Sequence, residues 1–469
     1  MHRSTARGLV PLFAALALGA GASSARAQAA PLDSVYRAEA GRLIQAAMSD
    51  TFGWSRLATL VDRFGHRLSG SAALEATIDW SLAEMRRDGL QNVRGEPVMV
   101  PHWVRGAESA ELLLPRQVPL HMIGLGGSVG TPAGGITADV IVVGSEEELR
   151  ARGADARGKI VLFDVPFTTY GETVRWRSLG ALAAAKAGAV ASLIRSVSSF
   201  SMQNPHTGSI RYNDTTVVRL PAAAISTEDA MMLHRMQNRG ERIRVRLSMG
   251  AQTLPDVPSR NVVAEIVGRE RPDEVVVISG HLDSWDVGTG AMDDAGGSVA
   301  AWEAVRLMQR LGLRPRRTVR VVMWTNEENG TRGGQTYRDA HRAQLDKHML
   351  AIESDNGVFR PNGFRFVGNE AALPTLRQIA RLLEPIGATK MDPGDGEADI
   401  GPMVALGVPG LGLDVDGTKY FWYHHSSADT IDKLDPQEFA KCVAAMAVAA
   451  YVVADMPGTL PRAAPAAGR

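Results

Sequence analysis

The feature that constrains this chain most is a repeated order. From Asn261 onward, short apolar runs alternate with stretches of helical periodicity: 262–266, 275–279, a helix over 297–311, 318–324, a helix over 334–342, then His348–Glu353. A helix at 374–383 and a strand at 410–414 continue the series. Such alternation predicts an α/β sheet covered by helices on both faces. Val275, Val276, Val277 and Ile278 form an unbroken apolar run, the pattern of a strand buried on both sides.

Upstream, 34–50 and 72–90 read as amphipathic helices. In the second, Leu74, Ile78, Leu82 and Met85 recur at three- and four-residue spacing. A strand is expected at 97–100. The texture changes near residue 106: glycine-rich loops at 124–130 and 132–135, short strands at 140–143, 160–165 and 191–194, and one alanine-rich helix at 179–187. This predicts a compact β-rich insert over 106–257. It interrupts a larger domain made of 28–105 and 258–460, with a disordered tail at 461–469.

The N-terminus reads as an address. Arg3 and Arg7 precede an apolar run at 9–20, and Ala25-Arg26-Ala27 follows as a cleavage site. The run is about a dozen residues, short of the ~20 that span a bilayer. Residues 1–27 are therefore expected to be a cleaved signal peptide of a secreted or periplasmic protein, with no membrane segment afterwards. Its removal takes away three arginines and no acid, leaving a mildly acidic chain. The single cysteine, Cys442, excludes a disulfide scaffold; in the apolar stretch 439–453 it reads as a small buried hydrophobe. Lys+Arg and Asp+Glu both number 51, so no basic face for nucleic acid is implied. The segment Gly153 to Lys159 nearly spells a phosphate-binding loop, but Ile160 stands where Ser or Thr should hold magnesium, and a strand follows.

The chemistry gathers at strand ends. Strand 275–279 runs into Gly280-His281-Leu282-Asp283, and Asp293-Asp294 lies just before helix 297–311. Strand 318–324 runs into Thr325-Asn326-Glu327-Glu328, and His348–Glu353 into Ser354-Asp355-Asn356. Near the C-terminus stands Tyr423-His424-His425-Ser426, with Asp429 beyond. Ligands of open α/β sheets bind outside the carboxyl ends of the strands, so parallel pairing would bring His281, Asp293, Glu328 and Asp355 to one rim. Imidazole and carboxylate together suit zinc. Clustered carboxylates without metal would repel one another and take up protons. Each residue alone has a plain structural reading: a hydrogen-bonded histidine for His281, a helix cap for Asp293, a solvated pair for Glu327-Glu328, turn residues for Asp355 and His425. Their joint occurrence, in this order, favours metal.

This set resembles the co-catalytic zinc exopeptidases related to bacterial leucyl aminopeptidases. The resemblance runs over nearly the whole mature chain and is carried by 64–71, 100–106, 280–288, 420–426 and 451–456. The insert, through 157–162 and 183–189, resembles a protease-associated domain. The resemblance implies a mixed, mostly parallel α/β sheet and two Zn2+ ions bridged by Asp293. His281 and Asp355 would complete one ion's shell, Glu328 and His425 the other's. His425 is preferred over His424 because the family's ligand is followed by Ser or Thr, with an aspartate four residues on. Asp283 is expected to bond the free nitrogen of His281, and a cis peptide to follow the bridging residue. Glu327 would be the general base toward a water shared by the ions, and His424 a donor to the oxyanion. A homodimer is also implied. The expected function is a secreted metallo-exopeptidase acting on dipeptides or short peptides with free termini. The alternatives are an aminopeptidase on longer peptides and a receptor-like binding protein of the same fold. Loop 394–399 reads as lining the site, its acids meeting a free α-amino group, or else as a solvated loop.

Overall fold

Two eight-stranded sheets carry the chain in the computed structural model, which describes residues 1–2, 30–394 and 397–464. The expected signal peptide beyond its first two residues, and the last five residues of the expected tail, lie outside the described residues.

In the first sheet the strand order is Gln91–Val104, Gln252–Ile266, Arg317–Trp324, Arg271–His281, His348–Glu353, Gly410–Val415, Pro361–Val367 and Lys390–Pro393. The four strands from Arg317–Trp324 to Gly410–Val415 run parallel, and antiparallel pairings flank them on both sides. Alternation along the central strand explains why both faces are buried. Val276 and Ile278 pack with helices Phe52–Phe64, Ala72–Arg87, Gly296–Arg310 and Pro436–Asp455; Val275 and Val277 face Tyr337, Ile400 and Met403 on the other side. The helix Pro436–Asp455 is long and apolar enough to cross a membrane, yet it is buried in this core. Cys442 lies on it, fully buried, with Sγ donating to the Phe359 carbonyl at 3.1 Å.

Several boundaries differ from expectation. The strand expected at 97–100 spans Gln91–Val104 and includes Pro97 and Pro101. It lies at the edge of its sheet, and the register shifts between Val100 and His102, where a residue without an N–H is tolerated. The helix Phe52–Phe64, the strand Pro361–Val367 and the edge strand Lys390–Pro393 had no expectation attached to them.

The second sheet takes its strands from Glu108–Leu114 through Arg244–Met249. Ile136–Val143, Ile160–Phe163, Ala191–Arg195 and Ala222–Ile225 run parallel at its centre, with helices Tyr170–Lys186 and Thr227–Asn238 packed beside them. This part is therefore α/β rather than simply β-rich. The expected helix at 179–187 is the second half of Tyr170–Lys186, whose start is capped by Thr169 accepting from the Glu172 N–H at 3.3 Å.

A buried relay stiffens the outer face of the first sheet. Arg320 donates to the Tyr337 hydroxyl at 2.6 Å, that hydroxyl donates to His348 Nε2 at 3.0 Å, and Nδ1–H donates to the Gln344 carbonyl at 2.9 Å. Burial pushes the His348 pKa down to about 4. A histidine held neutral in the fold protonates first in the unfolded chain, so its contribution is complete above pH 6.5 and is lost as pH falls toward 4. The difference amounts to about 3 kcal/mol. Denaturant unfolding across this window is expected to show a slope that His348→Gln flattens.

Candidate active site

The site is built at the carboxyl rim of the first sheet. His281 closes the strand Arg271–His281 and is completely buried. Its Nδ1 lies 2.9 Å from the Asp283 carbonyl, an acceptor only, so Nδ1 carries the proton and Nε2 presents its lone pair. That Nε2 is 3.1 Å from Asp293 Oδ1 and 3.1 Å from Asp355 Oδ1. His425 has the left-handed φ of 59°. Its Nε2 is 3.3 Å from Asp293 Oδ2 and 3.0 Å from Glu328 Oε2. Asp293 thus stands between two imidazoles, one for each carboxylate oxygen, although its Oδ2 has no hydrogen-bond partner. His424 stacks on His425 with ring centroids 3.5 Å apart, and its Nε2 is 3.5 Å from the same Oδ2. All five residues expected to hold metal are brought together, and the peptide between Asp293 and Asp294 is cis.

Buried polar groups hold this rim in place. Arg67, fully buried, donates to the carbonyls of Gly65, Leu282, Thr289 and Gly290 at 2.6–2.9 Å, tying the turn after His281 to the turn before Asp293. Asp429 accepts from the N–H groups of Met292 and Asp293 at 2.7 and 3.2 Å. The carboxylate that serves the start of helix Gly296–Arg310 is that of Asp294, not Asp293: Oδ1 accepts from Gly297 N–H and Oδ2 from His281 N–H, both at 3.0 Å. That approach needs Gly280, where a Cβ would lie 2.5 Å from Asp294 Oδ2. Asp293 is left free to face the two imidazoles.

Two expectations are corrected. The Asp283 carboxylate does not bond the free nitrogen of His281; it is 3.9 Å away, and the Asp283 backbone carbonyl takes that proton instead. The carboxylate accepts from the N–H groups of Glu327 and Glu328 at 3.0 and 3.3 Å, and so fixes the turn that presents both glutamates. In loop 394–399, Asp399 is not solvated but wholly buried, and Glu397 lines the cleft with Asn356 Nδ2 3.1 Å from its carboxylate. Asp395 and Gly396 lie outside the described residues.

The electrostatics show what the cluster calls for. Burial, then the charges of neighbouring acids, raises the carboxyls of Asp294 and Glu328 well above the ordinary range, Glu327 to about 8 and Asp429 to about 7. Burial opposes the charge on Asp293 too, but the hydrogen bond with His281 and the closeness of the His425 and His424 imidazoles hold it well below that range. Burial likewise opposes an imidazolium at His281, yet Asp355 and Asp293 drive it upward. An acidic, desolvated cluster of this kind is stabilised by cations. Its donors, imidazole nitrogen with carboxylate oxygen in two sets sharing Asp293, fit divalent metal such as zinc. The Glu327 carboxylate, half-buried, bonds no described residue and lines the cleft. That cleft, of about 840 Å³, has the rim of Asp293, Glu327, Glu328 and Asp355 on one side and helix Tyr170–Lys186 with the 209–211 segment on the other.

Arg67, Asp294 and the contribution of the second sheet were not expected from the sequence. Asp429 was noticed only for its spacing from His425.

Residues 261–450 match the model of peptidase family M28. The chain belongs to that family and is a peptidase. It is 49% identical over 409 residues to carboxypeptidase Q of Mus musculus, covering 87% of each chain, and 48% identical over 433 residues to that of Xenopus laevis, covering 92% of each. The crystal structure of a peptidase M28 precursor from Shewanella amazonensis superposes with a TM-score of 0.89 at 36% identity, over 92% of this chain and 100% of that one.

Proposed function

We propose that this chain is a secreted, carboxypeptidase Q-like exopeptidase that hydrolyses dipeptides or short peptides with free termini at a pair of zinc ions. The observation that carries the reading is Asp293 between two imidazoles, each completed by a further carboxylate. His281, Asp293 and Asp355 would hold one ion, and Asp293, Glu328 and His425 the other. When bound, the ions would supply Lewis acidity toward the scissile carbonyl and the attacking water.

The protein's own residues do the rest. Glu327, whose carboxylate makes no hydrogen bond or ion pair with any described side chain and faces the same cleft, takes the proton of the attacking water and returns it to the leaving amine. Asp283 keeps that glutamate in place through the backbone. His424, kept neutral by burial and by the neighbouring His425, offers a ring N–H to the oxyanion. The wall facing them belongs to the insert over 106–257, which we read as a protease-associated domain. It limits the space beyond the scissile bond. Export by a signal peptide over 1–27 and a homodimeric state belong to the same reading. A receptor-like role is disfavoured by the complete set of donors and by the free Glu327.

Product analysis on a peptide ladder tests the reading. An unblocked dipeptide is expected to be cleaved, and blocking its terminus or lengthening the chain should reduce turnover. Stepwise release from the amino end of long peptides would instead establish the aminopeptidase alternative.

A further inference from the structure

The segment that carries His425 is held by the second sheet. Residues 196–221 join strand Ala191–Arg195 to Ala222–Ile225 without helix or strand, apart from one bridge between Gly126 and Ser209. A connection this long inside a compact unit calls for a reason. It runs across to the catalytic rim and pairs with it. The Thr207 N–H donates to the His425 carbonyl at 2.8 Å, and the His206 ring donates to the His424 carbonyl at 2.6 Å. Asn204 donates to the Ser426 hydroxyl at 2.7 Å, and Ser209 to the Glu328 carbonyl at 3.2 Å. His206 and Thr207 are both buried.

One contact of this set reaches the imidazole itself. His425 Nδ1 is 3.4 Å from the Thr207 carbonyl, which has no rival as acceptor for that proton among the described residues. The same carbonyl takes a hydrogen bond from Arg177 Nη1 at 3.2 Å. Arg177 comes from helix Tyr170–Lys186, is 6% exposed, and is anchored by Nη2 on the Tyr170 hydroxyl at 2.8 Å. Its Nη1 also lies 3.3 Å from His425 Nδ1; both atoms are donors when Nε2 is bare, so the carbonyl between them is what they share. The guanidinium fills the place of a side chain at Gly208, where a Cβ would sit 2.3 Å from Arg177 Cζ at a φ of +132°.

We propose that Arg177 is a positioning residue for His425, acting through the Thr207 carbonyl, so that the inserted sheet sets metal affinity on the His425–Glu328 side of the centre. A carbonyl that takes the outer N–H of a ligating histidine fixes its tautomer and ring orientation, and loss of such a partner costs about 10–100-fold in metal affinity. The proposal rests on reading His425 as a metal ligand.

Zinc titrations of the full chain against a chromogenic chelator test it. In Arg177→Met, which leaves the Thr207 carbonyl in place but unsupported, one zinc ion is expected to bind about tenfold more weakly than in the parent, the low end of the cost of losing the ligand's own partner, while the ion at His281 and Asp355 is unchanged. Arg177→Lys, which keeps an N–H for the Thr207 carbonyl, should recover most of the loss; a role in packing alone would leave Met and Lys alike. The metal-free forms should unfold at the same temperature as the metal-free parent. If Arg177→Met does not fold, Tyr170→Phe, which frees the guanidinium at its anchor, should weaken the same ion severalfold. Parent-like affinity for both ions in the folded variant, or equal losses in Met and Lys, overturns the proposal while His425→Ala still losing one ion leaves the ligand reading intact. Retention of both ions by His425→Ala overturns the two together.

Discussion

Glu327→Gln is expected to bind zinc as the parent does and to lose about three orders of magnitude in kcat, within the range by which general bases accelerate proton transfer. The reason is the separation of roles at one turn. Glu328 points its Oε2 at His425 and its Oε1 accepts from the Trp285 N–H at 3.2 Å, so it is committed to the metal side. Glu327, one residue earlier, makes no such contact and keeps an open face to the cleft. The amide of glutamine has nearly the same shape but cannot accept the proton. Because Asp283 holds this turn by backbone N–H groups, the substitution leaves the turn intact. Turnover of an unblocked dipeptide and metal content, measured on one preparation, check both halves. Metal loss on substitution would make Glu327 a ligand instead of the base.

Asp293→Ala is expected to remove the metal altogether, where Asp355→Ala or Glu328→Ala should spare one ion. Among the described residues Asp293 alone faces both imidazoles, and its removal leaves each set with one nitrogen and one carboxylate. The metal-linked share of stability goes with it. At a free zinc concentration a thousandfold above Kd a single ion contributes about 4 kcal/mol, so the thermal shift on adding zinc should vanish in the variant. Elemental analysis after gel filtration and thermal unfolding with and without zinc check this. Undiminished zinc would contradict the bridge.

What could be read from the sequence divides along physical lines. His281, Glu328 and Asp355 follow mostly apolar runs that mark buried strands, and parallel pairing does the rest, so their convergence was legible. The cis peptide and the choice of His425 came with the family resemblance, not with the residue pattern. Asp283 was misassigned because a family resemblance does not tell a side-chain oxygen from a backbone carbonyl; only coordinates separate 2.9 from 3.9 Å. Arg67 and Arg177 were invisible as site residues. Arg67 holds backbone carbonyls more than 200 residues away, and Arg177 meets His425 across the Thr207 carbonyl although 248 residues separate them, so no motif announces either. Edge strands such as Lys390–Pro393 escaped because they are short and mostly exposed, which leaves little hydrophobic period to detect.

Asp293 is the residue that would join the two cations. Crystals of the zinc-loaded protein, measured on either side of the zinc absorption edge, test this most directly. Two anomalous peaks about 3.5–4 Å apart are predicted, with one Asp293 oxygen at each. A single peak, or a pair that Asp293 does not touch, would contradict it.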